Sequence, residues 1–409
     1  MYQGVKHCGA HILMRTTTLE TFAGPLTALV AILLLPIVLT MWFRRSSTCV
    51  GESDSKVSWI AKRRLIHIIL LVMVAVWWAM WDFQAQSALL PTLKLHAAGI
   101  DLTLVKLFSF WLPPLGTIAT ANLICYLHDK TVLGRTWTTR DILQLTLWRT
   151  VAPFASLLFV IAGLDAIYDR KSIGILWLVA AALSASVGAA LLRLAEGMKF
   201  RMVKSGELYK RAFVLAKNMG TRLERVYVVP AGRGHLTNAY GLSRSIAMTD
   251  NYGKFLNGAQ LDYVIGHELA HVKERHGRRK LLIIGTVYTG VALTCFSLPH
   301  MLFRFRPLLD IFFLLVPVLT FYYFSRRFEY AADAVSVEYT RDPEAAIRGL
   351  ANLHRLTQSP TDCGRLSELF LTHPAFTRRA RAIGESGRMP AERLSEVIHQ
   401  ASLRAADSL

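Results

Sequence analysis

The sequence predicts a mainly α, multi-span helical membrane protein of about seven transmembrane helices that carries a small α+β domain. Three observations predict it. Seven apolar runs are each about as long as a bilayer crossing requires, roughly 20 residues. The Lys and Arg residues between those runs alternate between rich and poor segments. Around residues 200–276 the pattern changes to the amphipathic and β-branched grammar of a soluble domain. Of the 409 residues, 53% are hydrophobic and 18% charged, yet Lys+Arg number 47 against 28 Asp+Glu, a net charge of +19. A chain that is both apolar and basic is either a nucleic-acid binder or a membrane protein with its charge on one face. Disorder and collagen-like repeats are excluded. The five cysteines are scattered without a CxxC pair, which excludes a disulfide framework or a thiolate zinc site. Cys125 and Cys295 lie in apolar runs and read as small hydrophobes.

The runs are 24–43, 65–82, 102–127, 150–168, 173–195, 281–299 and 308–325. The first is uncharged from Pro25 to Phe43 and is followed by Arg44 and Arg45 rather than by a cleavage site, so it reads as a retained span. The third carries Lys106 near its start and Pro113-Pro114 within it, which predicts a broken span. Asp165 falls near the end of its run, at the interface. Segments 44–64, 128–149, 196–280 and 326–409 carry 6, 4, 16 and 12 Lys+Arg, whereas 1–22, 83–101, 169–172 and 300–306 carry 2, 1, 2 and 2. The alternation places the N-terminus outside and the C-terminus in the cytoplasm, with 38 of the 47 basic residues on the cytoplasmic side. Nucleic acid is not an expected partner. No zinc-finger spacing or RRM-like aromatic motif is present, and the dense basic block Lys273–Lys280 immediately precedes a span, where it faces lipid headgroups. The predicted organisation is a membrane region 1–195, a cytoplasmic part 196–280, a transmembrane hairpin 281–325 and a second cytoplasmic part 326–409.

Within the cytoplasmic part, Ser205–Met219 has apolar residues at helical spacing and is closed by Gly220. Val226–Val229 and Ser245–Thr249 read as strands, and Ala259–His276 as a helix. That helix contains His267-Glu268-Leu269-Ala270-His271, an HExxH sequence. Residues four apart share a helix face, so His267 and His271 can present two imidazoles to one Zn²⁺, and Glu268 can serve as general base to a water. A catalytic zinc takes three protein ligands, and after the last span Glu329 and Asp333 lie one helical turn apart. Glu329 would complete a His₂Glu site, and Asp333 would accept a hydrogen bond from a ligand imidazole and set its tautomer. His276 is a rival ligand. Its position, rotated off the motif's face, points instead to surface or headgroup contact.

At these motifs the chain resembles the HtpX and CAAX prenyl endopeptidase superfamily of integral-membrane zinc metalloproteases. The match runs in order through Thr237-Asn238-Ala239-Tyr240, the HExxH motif, the Glu329/Asp333 helix, and Thr372-His373-Pro374 followed by Arg379. It covers about 200–385; the first 195 residues match in layout only. Five spans before HExxH and two between it and Glu329 are more like the CAAX endopeptidase arrangement. The resemblance implies a zincin-like domain with zinc ligands His267, His271 and Glu329, and Glu268 as the base. It also implies that His373 and Arg379 hold the substrate or its oxyanion, and that Asn238 and Ala239 lie on an edge strand that binds peptide.

The expected function is therefore zinc-dependent hydrolysis of peptide bonds in membrane-associated or misfolded membrane proteins, with the active site on the cytoplasmic face. The expected partners are a protein or peptide substrate and the lipid bilayer, with one zinc per chain; the sequence sets no oligomeric state. The alternatives are a catalytically inactive zincin-like scaffold or, within the protease class, a CAAX-type processing enzyme. A transporter is disfavoured because no internal repeat marks one.

Overall fold

The computed structural model describes residues 30–46, parts of 59–77 and most of 102–406. Outside the described residues lie the start of the first predicted span, the end of the second, the segments 83–101 and 300–305, and Thr237, as well as the side chains of Lys106, Asp165 and Cys295. The described part is mainly helical with one small sheet.

Three long helices come first: α1 (Leu102–Val132), α2 (Thr139–Tyr168) and α3 (Ile173–Ala195). Together with helical residues 30–46 and 65–70 they fall on the first five apolar runs. Among the described residues, one stretch, Ile173–Leu191, is by itself long and apolar enough to cross a membrane. Its Leu176, Leu183 and Val187 are exposed and form an apolar face. The predicted break at Pro113-Pro114 does not occur; α1 runs through both prolines. Each proline removes one backbone donor, and the Thr117 hydroxyl makes a back-bond to the Pro113 carbonyl at 3.2 Å. At the basic end of α1, buried Asp129 accepts from the Trp59 indole N–H at 2.7 Å and pairs with Arg63, which ties the 59–70 segment to α1.

The second part is built on strands β1 (Arg201–Val203), β2 (Arg225–Val229), β3 (Ala239–Gly241) and β4 (Ser245–Thr249), ordered β1-β2-β4-β3. β2 and β4 are parallel; β1 and β3 are antiparallel edge strands. The parallel β2–β4 pair requires a crossover, and the 229–245 connection that makes it also carries β3. Helix α4 (Glu207–Asn218) lies where amphipathic spacing predicts, and Gly220 takes the left-handed conformation that closes its end (φ 62°).

After the short α5 (Tyr252–Phe255), helix α6 (Gly258–Lys273) starts at a capping box. The Asn257 side chain accepts from the Gln260 N–H, and the Gln260 side chain accepts from the Asn257 N–H. Leu269, Ile265 and Ala270 on α6 are fully buried against Ile246, Met248, Ile347 and Phe376. Burial of each leucine- or isoleucine-sized side chain contributes about 1.5–3 kcal/mol.

α6 ends earlier than expected, at Lys273. Arg275 adopts φ 52°, the chain turns, and α7 (His276–Ser297) begins. Helix α8 (Arg306–Thr340) is one 35-residue helix, so the expected domain boundary at 325/326 falls inside it. α7 and α8 carry the last two apolar runs. Helices α9 (Pro343–Leu356), α10 (Phe376–Ser386) and α11 (Ala391–Ala406) complete the described chain. Asp342 caps α9 by accepting from the Ala345 N–H at 2.8 Å, and Pro343 sits at its first turn.

Candidate metal centre

α6 crosses against α8, and the crossing is set by a small-residue contact. Ser336 donates to the Tyr263 carbonyl at 2.7 Å, and a methyl at Gly266 would stand 2.6 Å from the Ser336 hydroxyl. At this spacing His267 and His271 on α6 meet Glu329 on α8. The two Nε2 atoms are 3.2 Å apart, and each is 3.5 Å from an oxygen of Glu329. Ligands arranged tetrahedrally around zinc with bonds of about 2.0–2.1 Å stand about 3.3 Å apart. The two 3.5 Å distances run to different Glu329 oxygens, Oε2 from His267 and Oε1 from His271. Donor atoms of the three residues lie within 4.8 Å of one another, a spacing compatible with a zinc-sized ion, and two imidazoles with one carboxylate are a donor set zinc favours.

Each of the three candidate ligands is held from behind. His267 Nδ1 is 2.8 Å from Asp333 Oδ1. A carboxylate accepts only, so Nδ1 carries the proton and Nε2 faces the centre. Asp333 also accepts from the Tyr263 hydroxyl at 2.8 Å and from Arg379 Nε and Nη2 at 2.8 and 2.7 Å. Glu329 accepts from His373 Nδ1 at 2.8 Å. The third support is a correction. His276 is neither a ligand nor a surface group; it is 2% exposed, with Nδ1 2.8 Å from His271 Nδ1 and its ring stacked on Phe328. On a continued α6 it would point elsewhere, but the turn at Arg275 carries it back to the ligand face.

The electrostatics follow from this packing. Burial works against charge on His267, but its hydrogen bonds to Asp333 and Glu329 outweigh that and push its pKa up to about 10 in the metal-free chain. Burial likewise opposes ionisation of Glu329 and Asp333. His373 with the ligand histidines, and Arg379 with His267, respectively hold them well below the usual carboxylate range. Arg379 is buried, and the adjacent Asp333 charge overcomes its desolvation and raises its pKa. Burial, with His271, Arg279 and Lys280 nearby, lowers His276 to about 3, so it stays neutral and can accept the His271 Nδ1–H.

Glu268 is buried beside His267 and lines a cleft of about 940 Å³. Asn238–Leu242, including edge strand β3, forms part of one wall of this cleft. Asn238 lies at the start of β3 with its backbone tied to Thr249, and its side-chain oxygen accepts from the Ala239 N–H. Ala239 pairs with Met248. β3 approaches α6 at Gly241, where a methyl would lie 2.8 Å from the Glu268 carbonyl and 3.0 Å from His271 Cβ. Gly241→Ala should therefore push the strand off the helix. We expect about 1–3 kcal/mol of destabilisation, read by thermal melting. His373 is largely exposed at this cleft, and Arg379 is turned inward against Asp333. Tyr263, His276, Gly241 and Ser336 were not singled out as site-forming from sequence, apart from His276 as a rejected ligand.

Residues 203–386 match the model of peptidase family M48. All three candidate ligands lie within the matched segment, and the match supports a protease. The chain is 28% identical over 229 residues to a protein named Protease HtpX homolog from Desulfatibacillum aliphaticivorans, covering 45% of this chain and 71% of that one. It is 27% identical over 203 residues to a Protease HtpX homolog from Tropheryma whipplei (strain Twist), covering 42% and 70%. A crystal structure of S. mikatae Ste24p aligns at 16% identity with a TM-score of 0.48, over 87% of this chain and 96% of that one.

Proposed function

We propose that this chain is a membrane-embedded zinc metalloendopeptidase that hydrolyses peptide bonds of membrane-associated or misfolded membrane proteins. The observation that carries the proposal is the His267/His271/Glu329 cluster, its imidazole Nε2 atoms 3.2 Å apart and each 3.5 Å from one of the two Glu329 oxygens, set beside Glu268 in a cleft walled by an edge strand. The membrane part of the reading is supported by the alternation of basic segments and by the exposed apolar face of α3. On that topology the centre lies on the cytoplasmic side.

His267, His271 and Glu329 would hold the metal, which when bound supplies a Lewis acid that acidifies water and polarises the scissile carbonyl. The substrate backbone pairs with the open edge of β3 at Asn238–Gly241, which aligns the peptide without demanding particular side chains. Glu268 takes a proton onto its carboxylate from the attacking water and delivers it to the leaving amine. His373, whose Nδ1–H is engaged by Glu329 and whose ring is exposed to the cleft, would donate from Nε2 to the developing oxyanion in its doubly protonated form. Arg379 acts from behind the ligands by fixing Asp333. His276 does the same for His271, and His276→Ala should weaken zinc binding by about 10- to 100-fold, measured by competition with a chromogenic chelator.

The reading is tested by comparing membrane proteins that accumulate in cells carrying Glu268→Gln with those in wild-type cells. Accumulation of uncleaved membrane proteins supports it. Identical profiles, with the purified wild-type protein inert towards peptides, would point to a scaffold.

A further inference from the structure

The cleft has a second end that carries two cations, Arg149 and Lys280. His67, Arg149, Lys280 and Tyr322 line the same cavity as Glu268, and they come from four different segments of the chain. Among the described residues, the acidic ones lining the cavity are Glu268 and Glu329, both at the candidate metal centre. Among the described residues, neither Arg149 nor Lys280 has an ion-pair partner. His67 is held through Nδ1 by the Arg63 carbonyl at 2.7 Å, and its buried Nε2 has no hydrogen-bond partner. Two cations without an ion-pair partner at one end of a cleft mark a place for an anion, and His67, whose Nδ1–H goes to the Arg63 carbonyl, leaves Nε2 as an acceptor that a hydroxyl of the same ligand can satisfy.

The position of these residues in the sequence narrows the anion. Arg149 and Lys280 immediately precede the apolar runs 150–168 and 281–299, His67 is at the start of 65–82, and Tyr322 is near the end of 308–325. In the alternation of basic segments, all four are at the basic ends of their runs. The packing brings those ends together, with α7 against both α2 and α8. Lys280 also stands over the ring of Phe328, which stacks on His276, so the cationic end adjoins the packing behind ligand His271.

We propose that this end of the cleft binds the phosphate of an anionic phospholipid headgroup. The inference rests on the membrane reading above, which puts the four run ends at headgroup depth. A basic pocket between helices at that level is the usual form of an anionic-lipid site. A peptide carboxylate shares the same oxyanion chemistry, and the experiment separates the two sources.

The test is native mass spectrometry of the detergent-solubilised full chain given equal phosphatidylglycerol and phosphatidylcholine. The wild type should retain phosphatidylglycerol in preference. Arg149→Gln with Lys280→Gln should lower that preference roughly 30-fold, since each cation near an anionic lipid contributes about fivefold. Arg149→Lys with Lys280→Arg, which keeps both charges, should preserve it, as should Lys130→Gln with Arg140→Gln at exposed positions outside the cleft. Equal retention of the two lipids by the wild type, or an equal drop in the exposed-site variant, overturns the proposal.

A mixed-sequence peptide library, prepared with free or amidated C-termini, is titrated in parallel against protein carrying Glu268→Gln. If the cleft substitutions abolish a preference for the free acid and leave lipid retention unchanged, the anion is a peptide carboxylate and the proposal falls. Release of the protein from membranes by alkaline carbonate would instead overturn the membrane reading, and the lipid site with it.

Discussion

Glu268→Gln should leave a folded chain with its metal bound and lower peptide cleavage by about 10²- to 10⁴-fold, the usual contribution of a positioned general base. Glu268 hydrogen-bonds none of the three ligands, so its amide should not disturb the triangle of His267, His271 and Glu329. It follows His267 directly on a helix whose start is set by the Asn257/Gln260 capping box, and the shape change is minimal. Metal content and activity should therefore separate in this variant. A variant that loses both would mean that Glu268 holds the site together; one that keeps both would remove it from the mechanism.

The second large effect is expected at Asp333. This carboxylate accepts from His267, Tyr263 and twice from Arg379, all in a buried setting. Asp333→Asn removes the charge and leaves the Arg379 guanidinium buried, with Glu329 as its nearest remaining carboxylate at 3.6 Å. Breaking a buried ion pair by removing one partner costs about 3–5 kcal/mol. Freed of Asp333, Arg379 competes for Glu329, and His267 loses the acceptor that orients it, so metal affinity should fall by about 10- to 100-fold as well. Adding Arg379→Met should restore much of the thermal stability, because removing both charges avoids the unpaired one. It should not restore metal affinity, because His267 still lacks its carboxylate. Recovery of both by the double variant would show that Asp333 acts only as a counter-ion to Arg379.

Much of the site was readable from residue spacing. The i, i+4 histidines lie on one face of α6, and of Glu329 and Asp333, one turn apart on α8, the first meets both imidazoles and the second meets His267 Nδ1. Elements with strong local signals appeared close to their expected ends, including α4 before Gly220 and the β2 and β4 strands. What could not be read depends on backbone turns or on contacts distant in sequence. His276 is five residues from His271, and on an ideal helix it points away; a single left-handed residue, Arg275, reverses that. Gly241 matters only because β3 lies against α6, which no local pattern encodes. β1 is three residues long and has no alternation to betray it. The expected boundary at 325/326 marked a change from apolar to polar composition. α8 continues through it, so the helix carrying the last apolar run also carries the third ligand.

The most direct test of the central claim is zinc K-edge absorption spectroscopy on the purified full chain. The account predicts one zinc per chain, with two imidazole nitrogens at about 2.0–2.1 Å and oxygen completing the shell, and loss of one nitrogen in His271→Ala. A sulfur-containing shell, or a zinc signal unchanged by His271→Ala, would contradict it.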